Sequence, residues 1–287
     1  PYAACNLSCY FCVTQRYLKT KVGLKLPTDY MLRLVDFLAN WGVRGLCVSG
    51  GGEPTLHRGV PSVLLYAKEL GLKTSIFTNG TCLTEELIAA LWSCQFVTWS
   101  INAADAKTYF LIKDANLFDK AVSNMERLVA HKGNSKTFVC ARMLILPENF
   151  KQIHQVCKLA KKLGLGGFSV RPVDFEREDI IGHRKLDLPV AEVMEQFEKC
   201  HEEEASDFKV FTVTHKFDPE FHVKHDFNEC LATPLLIPIL QDGNAYVCVD
   251  KKMEAPFCLG SCYPNPETIL TWWGSDKHRK MIKSIDI

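Results

Sequence analysis

The chain has 287 residues, of which 47% are apolar and 23% charged, enough to bury the core of one large or two modest domains. Thirty-four Lys and Arg against 33 Asp and Glu leave a net charge of +1, which offers no electrostatic footprint for nucleic acid, and no apolar run approaches the ~18 residues a membrane span needs. Thirteen cysteines, an odd number, with no signal-type apolar segment at the start, predict a reducing, cytoplasmic setting in which the thiols serve something other than disulfides.

The chain opens at Pro1 and reaches cysteines at once, which leads us to expect residues upstream. Cys5, Cys9 and Cys12 form C-x3-C-x2-C. Soft thiolates this close suit zinc or an iron-sulfur cluster, and three ligands instead of four leave one coordination position for chemistry; a zinc site completed by a remote ligand, or unconnected thiols, are the plain alternatives.

From Thr28 onward helix-period and strand-period segments alternate. Tyr30, Met31, Leu34, Val35 and Leu38 mark one apolar helix face that stops at Gly42, and Gly45–Ser49 reads as a short buried strand. The cycle repeats as helix Val60–Leu70 and strand Lys73–Thr78, helix Thr84–Leu91 and strand Phe96–Ile101, helix Phe118–His131 and strand Thr137–Ile145, helix Phe150–Leu163 and strand Gly167–Pro172. Such alternation predicts an α/β fold, a parallel sheet of βα units with its site after the strands. A strand just before Cys5 would bring the five strands to six. A further helix is expected over Val190–Glu203. After His215 the character changes to a Pro- and Cys-rich region held by something other than a core, which divides the chain into residues 1–210 and 211–287.

Several strand ends carry chemistry. Gly50-Gly51-Gly52-Glu53-Pro54 follows the first strand; by itself it is a glycine-rich turn, and it lacks the Lys-Ser/Thr of a phosphate loop. Ser100 and Asn102 are two apart, which puts them on one face of a continuing strand. Arg142 and Arg171 are charges within otherwise apolar strands, costly unless paired, whether with a ligand carboxylate or an internal acid. Cys140 shares the parity of Arg142 and would face the same way, packed or available to a substrate. Near the end, Cys230 and Cys248 bracket a predicted hairpin turning at Asp242-Gly243, and Cys258 and Cys262 add C-x3-C; the spacing alone suits a structural zinc knuckle.

The first motif, with Phe11 as the aromatic of C-x3-C-x-aromatic-C, resembles the signature of the radical S-adenosylmethionine (SAM) enzymes. In that family the three cysteines hold a [4Fe-4S] cluster whose fourth iron is chelated by SAM, and one electron cleaves SAM to methionine and a 5'-deoxyadenosyl radical that abstracts hydrogen from an unactivated carbon. The resemblance implies a partial (β/α)6 TIM-like barrel, and it assigns the methionine ammonium to Gly51, Gly52 and Glu53. It assigns the ribose hydroxyls to Ser100 and Asn102 and the SAM carboxylate to Arg142. Asn149 would be a helix N-cap.

The C-terminal C-x12-G-x4-C resembles the opening of SPASM/twitch extensions, which bind auxiliary [4Fe-4S] clusters. The full SPASM cysteine series is absent after Cys248, so the shorter twitch form is implied, with Cys230, Cys248, Cys258 and Cys262 on one cluster. The implied activity is a radical SAM oxidoreductase or maturase that oxidises, crosslinks or epimerises a peptide or protein residue, with Cys140 as hydrogen donor in the last case. The alternatives are dehydrogenation or epimerisation of a carbohydrate or aminocyclitol, and a non-catalytic iron-sulfur or zinc scaffold. The implied partners are a peptide or small-molecule substrate and an external electron donor such as flavodoxin or ferredoxin, with no nucleic acid and no membrane.

Overall fold

The structure is a computed structural model that describes residues 1–173, 188–217 and 229–285. Six strands make one sheet: β1 (Gly45–Val48), β2 (Lys73–Thr78), β3 (Phe96–Ser100), β4 (Phe138–Ile145), β5 (Gly167–Pro172) and β6 (Lys209–Thr212). They lie in chain order and each is parallel to the next. This is the arrangement that successive right-handed βα units give when a sheet curls into part of a barrel.

The helices supply the outer layer. A short α1 (Gln15–Thr20) follows the cysteine loop, and α2 (Thr28–Asn40) leads into β1. Then α3 (Val60–Glu69), α4 (Glu85–Leu91), α5 (Ala106–Lys113) with α6 (Phe118–Ala130), α7 (Ile153–Lys162) and α8 (Val190–Glu202) follow the strands. Local signals set their starts: the Thr84 hydroxyl accepts from Leu87 N at 3.2 Å and Asp105 Oδ1 from Thr108 N at 2.8 Å, each satisfying an orphan amide of the first turn.

Side-chain parity divides the sheet into two faces. Ile76, Val97, Trp99, Val139, Ala141, Met143, Phe168 and Val170 point outward into one core with Leu64, Leu91, Leu128 and Cys157 from the helices. The residues between them, among them Phe77, Ser100, Cys140, Arg142, Ser169 and Arg171, therefore line the inner face.

Two expectations are corrected here. The sixth strand is β6, after α8, whereas the segment before Cys5 makes only an isolated antiparallel bridge between Tyr2 and Lys25. The C-terminal region does contribute to a core. Ala245, Val247, Leu259, Cys262, Ile269 and Trp272 pack in one apolar cluster with Leu26, Tyr30, Met31, Leu34, Val35 and Leu38 of the α2 segment. At ~1.5–3 kcal/mol per fully buried large apolar side chain, this face outweighs any single polar contact that joins the two regions. Within it, β7 (Asn244–Tyr246) pairs antiparallel with β8 (Cys258–Ser261), and the expected turn is present: Ile239 bridges Ala245 and Gly243 adopts φ +77°.

Candidate functional site

Three loops meet at the carboxyl ends of β1 and β2. Glu53, 3% exposed, is the centre of their hydrogen bonding. Its Oε1 accepts from Thr55 N at 3.0 Å, Thr55 Oγ1 at 2.7 Å and Thr78 Oγ1 at 2.7 Å, and its Oε2 accepts from Asn79 N at 2.7 Å. The Glu53 amide donates to Ala4 O at 2.8 Å. The carboxylate thus binds the glycine loop to the end of β2, while the main chain ties it to the segment before Cys5.

Asn79 extends the network to the cysteine loop. Its Nδ2 donates to Asn6 Oδ1 at 3.0 Å and lies 3.9 Å from Cys5 Sγ, and Asn6 Nδ2 donates to Thr81 Oγ1 at 2.7 Å. The Thr78-Asn79-Gly80 turn is therefore a structural hub between the two loops.

The glycines are required for reasons internal to the chain. Gly51 (φ +128°) and Gly52 (φ +137°) both occupy conformations closed to other residues. A Cβ on Gly51 would stand 2.5 Å from Gln241 Nε2, and one on Gly52 would run into the carbonyl oxygens of Tyr2 and Ala4. Gln241, 4% exposed, also donates from Nε2 to Gly51 O at 2.7 Å, so the C-terminal hairpin holds the glycine loop directly.

Cys5, Cys9 and Cys12 are all free thiols on one loop, closed by Cys12 N to Cys9 O at 3.1 Å. Cys5 feels the charge of Cys12, and Cys9 those of Cys12 and Cys5. Burial raises the Cys5 and Cys9 thiols, Cys9 to about 12, with Lys113 opposing the rise in both. Among the described residues no three His, Cys, Asp or Glu side chains are drawn into a metal cage.

Lys113, at the end of α5, is the buried cation beside the cysteine loop that the sequence analysis missed. It is 1% exposed, its Nζ donates to Ser100 O at 2.5 Å and stands 4.4 Å from the Tyr109 ring centre, and its carbonyl accepts from Ser8 N at 3.0 Å. Burial lowers its pKa to about 8, and Cys9, Cys5 and Glu53 pull it back up. It forms no ion pair among the described residues. The apolar spacing of Tyr109 and Ile112 was the available signal for α5, and Lys113 falls on the same buried side.

At β3 and β4 the reading changes. The strand stops at Ser100, and Asn102, 3% exposed, turns into the left-handed region at φ +63°, so the two no longer share a strand face. Asn102 Oδ1 accepts from Leu144 N at 3.2 Å. Asn149 stands at the N-cap position of the 3-10 turn Phe150–Gln152 that leads into α7, as expected, but its side chain makes no capping hydrogen bond. Fully buried, it donates to Asn102 O at 2.8 Å and Leu144 O at 2.9 Å and accepts from Leu146 N at 2.7 Å, which clasps the ends of β3 and β4 together. Cys140 is 1% exposed on the inner face, and burial pushes its thiol up to about 12 against the pull of Arg142, so it is a neutral S–H. Arg142 lies over the Phe77 ring at 5.3 Å.

The C-terminal cysteines are free but are not drawn into one cage among the described residues. Cys262 is buried in the α2-side cluster, which Cys230 and Cys248 also touch, whereas Cys258 opposes Tyr246 across the β7–β8 pair and packs with the Ala3–Tyr17–Leu240 group. Cys262 Sγ donates to Gly243 O at 3.2 Å, and Asp250 N donates to Cys248 Sγ at 3.4 Å.

The pattern of the Radical SAM superfamily matches residues 1–160, more than half of the chain. The chain belongs to the radical SAM superfamily. It is 28% identical over 171 residues to the AdoMet-dependent heme synthase of Methanosarcina barkeri, covering 58% of this chain and 47% of that protein. It is 24% identical over 233 residues to the PqqA peptide cyclase of Granulibacter bethesdensis, covering 77% of this chain and 58% of that one. The chain thus spans about half the length of the curated relatives it matches.

Among solved structures, SAM-bound SuiB of Streptococcus suis superposes with TM-score 0.75 at 16% identity, over 99% of this chain and 66% of that one. AdoMet-bound anSMEcpe superposes with TM-score 0.68 at 17% identity, over 100% and 82%. The partial-barrel fold is therefore that of this superfamily. A [4Fe-4S] cluster, SAM and an auxiliary [4Fe-4S] cluster are the cofactors that go with it. Among the described residues no helix is long and apolar enough to cross a membrane.

The first site suits its cofactor. Three thiols on one loop, a buried cation beside them and a glycine loop of strained main chain are the donor set that an anionic thiolate cluster and an amino-acid ligand need. The auxiliary donors suit theirs in chemistry, as four free thiols, without being gathered into one cage.

Proposed function

We propose that this radical SAM enzyme is a maturase that modifies a peptide or protein residue, by oxidation, crosslinking or epimerisation. The observation that carries the reading is the convergence of the cysteine loop, the glycine loop and the β2 end on Glu53, at the strand ends where a barrel of this kind places its site. The similarity to a PqqA peptide cyclase over 77% of this chain supports a peptide as substrate.

Cys5, Cys9 and Cys12 would hold the SAM cluster, and Cys230, Cys248, Cys258 and Cys262 the auxiliary one. When bound, the first cluster and SAM supply a 5'-deoxyadenosyl radical. The chain's own residues do the rest. Gly51 and Gly52 present main-chain groups to the methionine end of SAM, and Glu53, saturated by Thr55, Thr78 and Asn79, keeps that main chain in place. Ser100, on the inner face, and Asn102 would meet the ribose, and Arg142 the SAM carboxylate. Cys140, protonated and on the inner face, would return a hydrogen atom in an epimerisation. The barrel module would run through β6 to Thr212, past the boundary at 210 expected from the sequence because that boundary falls inside the strand, and the auxiliary-cluster module would follow it. An external flavodoxin- or ferredoxin-type donor would supply the electron.

Anaerobic reconstitution tests this. About eight irons per chain and release of 5'-deoxyadenosine on addition of dithionite and SAM are expected. Bound zinc with no cleavage of SAM would mean a scaffold protein, and SAM cleavage stimulated by aminocyclitols and not by peptides would favour the small-molecule alternative.

A further inference from the structure

Among the described residues the inner face of the barrel holds two guanidinium groups, Arg142 and Arg171, and no acid paired with either. Arg142 on β4 and Arg171 on β5 have the same parity, and the strand register sets Arg142 beside Ser169 and Arg171 beside Leu144, so the two are diagonal neighbours. Arg142 feels the Arg171 charge, which adds to burial in disfavouring its own ionised form. Among the described residues neither enters an ion pair. Arg142 has the Phe77 ring against its guanidinium, whereas Arg171 Nε is buried with no hydrogen-bond partner among the described residues.

A polar N–H buried without a partner is costly, and two like charges sharing a low-dielectric face repel each other. Such an arrangement is stabilised by anions, and two guanidinium groups call for two. One is accounted for if Arg142 takes the SAM carboxylate, as in the function proposed above. Arg142 stands across from Ser100 in the register, on the side of the sheet nearer the cysteine and glycine loops. Arg171 lies one strand further from those loops and nearer the carboxyl end of the sheet, away from the position given to the SAM carboxylate.

We propose that Arg171 is a substrate-binding residue that receives a carboxylate of the peptide substrate. The planar fork of Arg, with five N–H donors, suits bidentate pairing with a carboxylate, and the unsatisfied Nε is one tine of that fork. The inference rests on the proposed peptide-modifying function, and it narrows the substrate to a peptide with an acidic side chain or a free C-terminus at the site.

The test is equilibrium binding of short peptides to the anaerobically reconstituted full chain with SAM present. The probes are acetyl-Gly-Glu-Gly-amide, acetyl-Gly-Gly-Gly with a free carboxylate, and the neutral acetyl-Gly-Gln-Gly-amide. At least one acidic peptide is expected to bind tenfold or more tighter than the neutral one, and which of the two does so distinguishes a side-chain from a C-terminal carboxylate. Arg171→Gln should abolish the preference and leave SAM affinity unchanged, Arg171→Lys should keep part of it, and Arg142→Gln should weaken SAM instead. Equal binding of all three peptides by the unmodified chain overturns the proposal, as does a preference that survives in Arg171→Gln or a loss of SAM affinity in that variant. Failure of the unmodified chain to cleave SAM would count against the proposed function, and the peptide preference is read independently of that cleavage.

Discussion

Replacing Glu53 with Gln separates a loop-organising role from a ligand-binding one. Three donors converge on Oε1 and one on Oε2. A Gln amide oxygen can take the first position, which leaves its NH2 facing the Asn79 N–H, donor against donor. Hydrogen bonds to a charged acceptor contribute ~1.5–3 kcal/mol and neutral ones ~0.5–1.5, so the three retained bonds lose about 1 kcal/mol each. The buried Asn79 amide adds about 1–3 kcal/mol of unmet hydrogen bonding. Because the bonds share one group and do not add fully, the expected loss is about 4 kcal/mol. With ~2.1 cal/mol/K of unfolding entropy per residue, that lowers Tm by roughly 7 °C. The assay is thermal unfolding of the chain without SAM or iron, followed by SAM binding after reconstitution. An unchanged Tm combined with lost SAM affinity would refute the organising role and make Glu53 a direct ligand only.

The other predictions concern the same loops. Gly52→Ala drives a methyl group into main-chain oxygens that cannot rotate away, Ala4 O being 2.6 Å from the added carbon, so destabilisation of about 2–5 kcal/mol in a urea titration is expected; a change below ~1 kcal/mol would show that the glycine loop can shift. Lys113→Met removes the buried cation beside Cys5 and Cys9, which should make the reduced cluster harder to form; an EPR-monitored titration should place its midpoint lower by about 60 mV or more, a tenfold change for one electron, and an unchanged midpoint would remove Lys113 from the site. His57 is buried, accepting from Gly59 N at 3.0 Å on Nδ1 and lying 2.9 Å from Leu26 O on Nε2, and burial holds its pKa below 6.5. Above pH 6.5 neither the folded nor the unfolded form is protonated there. Below it the unfolded chain takes up a proton that the fold refuses, so stability should fall as pH drops from 6.5 towards the folded-state pKa. His278, also lowered by burial, acts with the same sign, so His57→Gln should reduce the slope without removing it; an identical slope in the variant would contradict the assignment.

What the sequence determined by itself is whatever is written in short-range pattern. Burial periodicity placed β2 and β5 to the residue and α2, α3, α4, α6 and α8 to within one or two, because the outward core selects alternate residues along each strand and one stripe along each helix. Cys5, Cys9, Cys12, the glycine loop and the Asp242-Gly243 turn were legible for the same reason, their chemistry being confined to a few consecutive residues. Tertiary structure alone decided what converges from afar. Lys113 reaches the cysteine loop from about a hundred residues away through the packing of α5, and no local motif announces it. The register of β2 and β3 against their neighbours brings Thr78 and Asn79 to Glu53, and the end of β3 at Ser100 turns Asn102 and Asn149 into braces. The short β6 lacked enough periodic residues to be recognised before its partner β5 was in place. Cys258 and Cys262 are an even number apart, which unbroken strand alternation would put on one face; the register shift in the β7–β8 pair and the end of β8 at Ser261 send Cys262 into the α2-side cluster and leave Cys258 with the Ala3–Tyr17–Leu240 group.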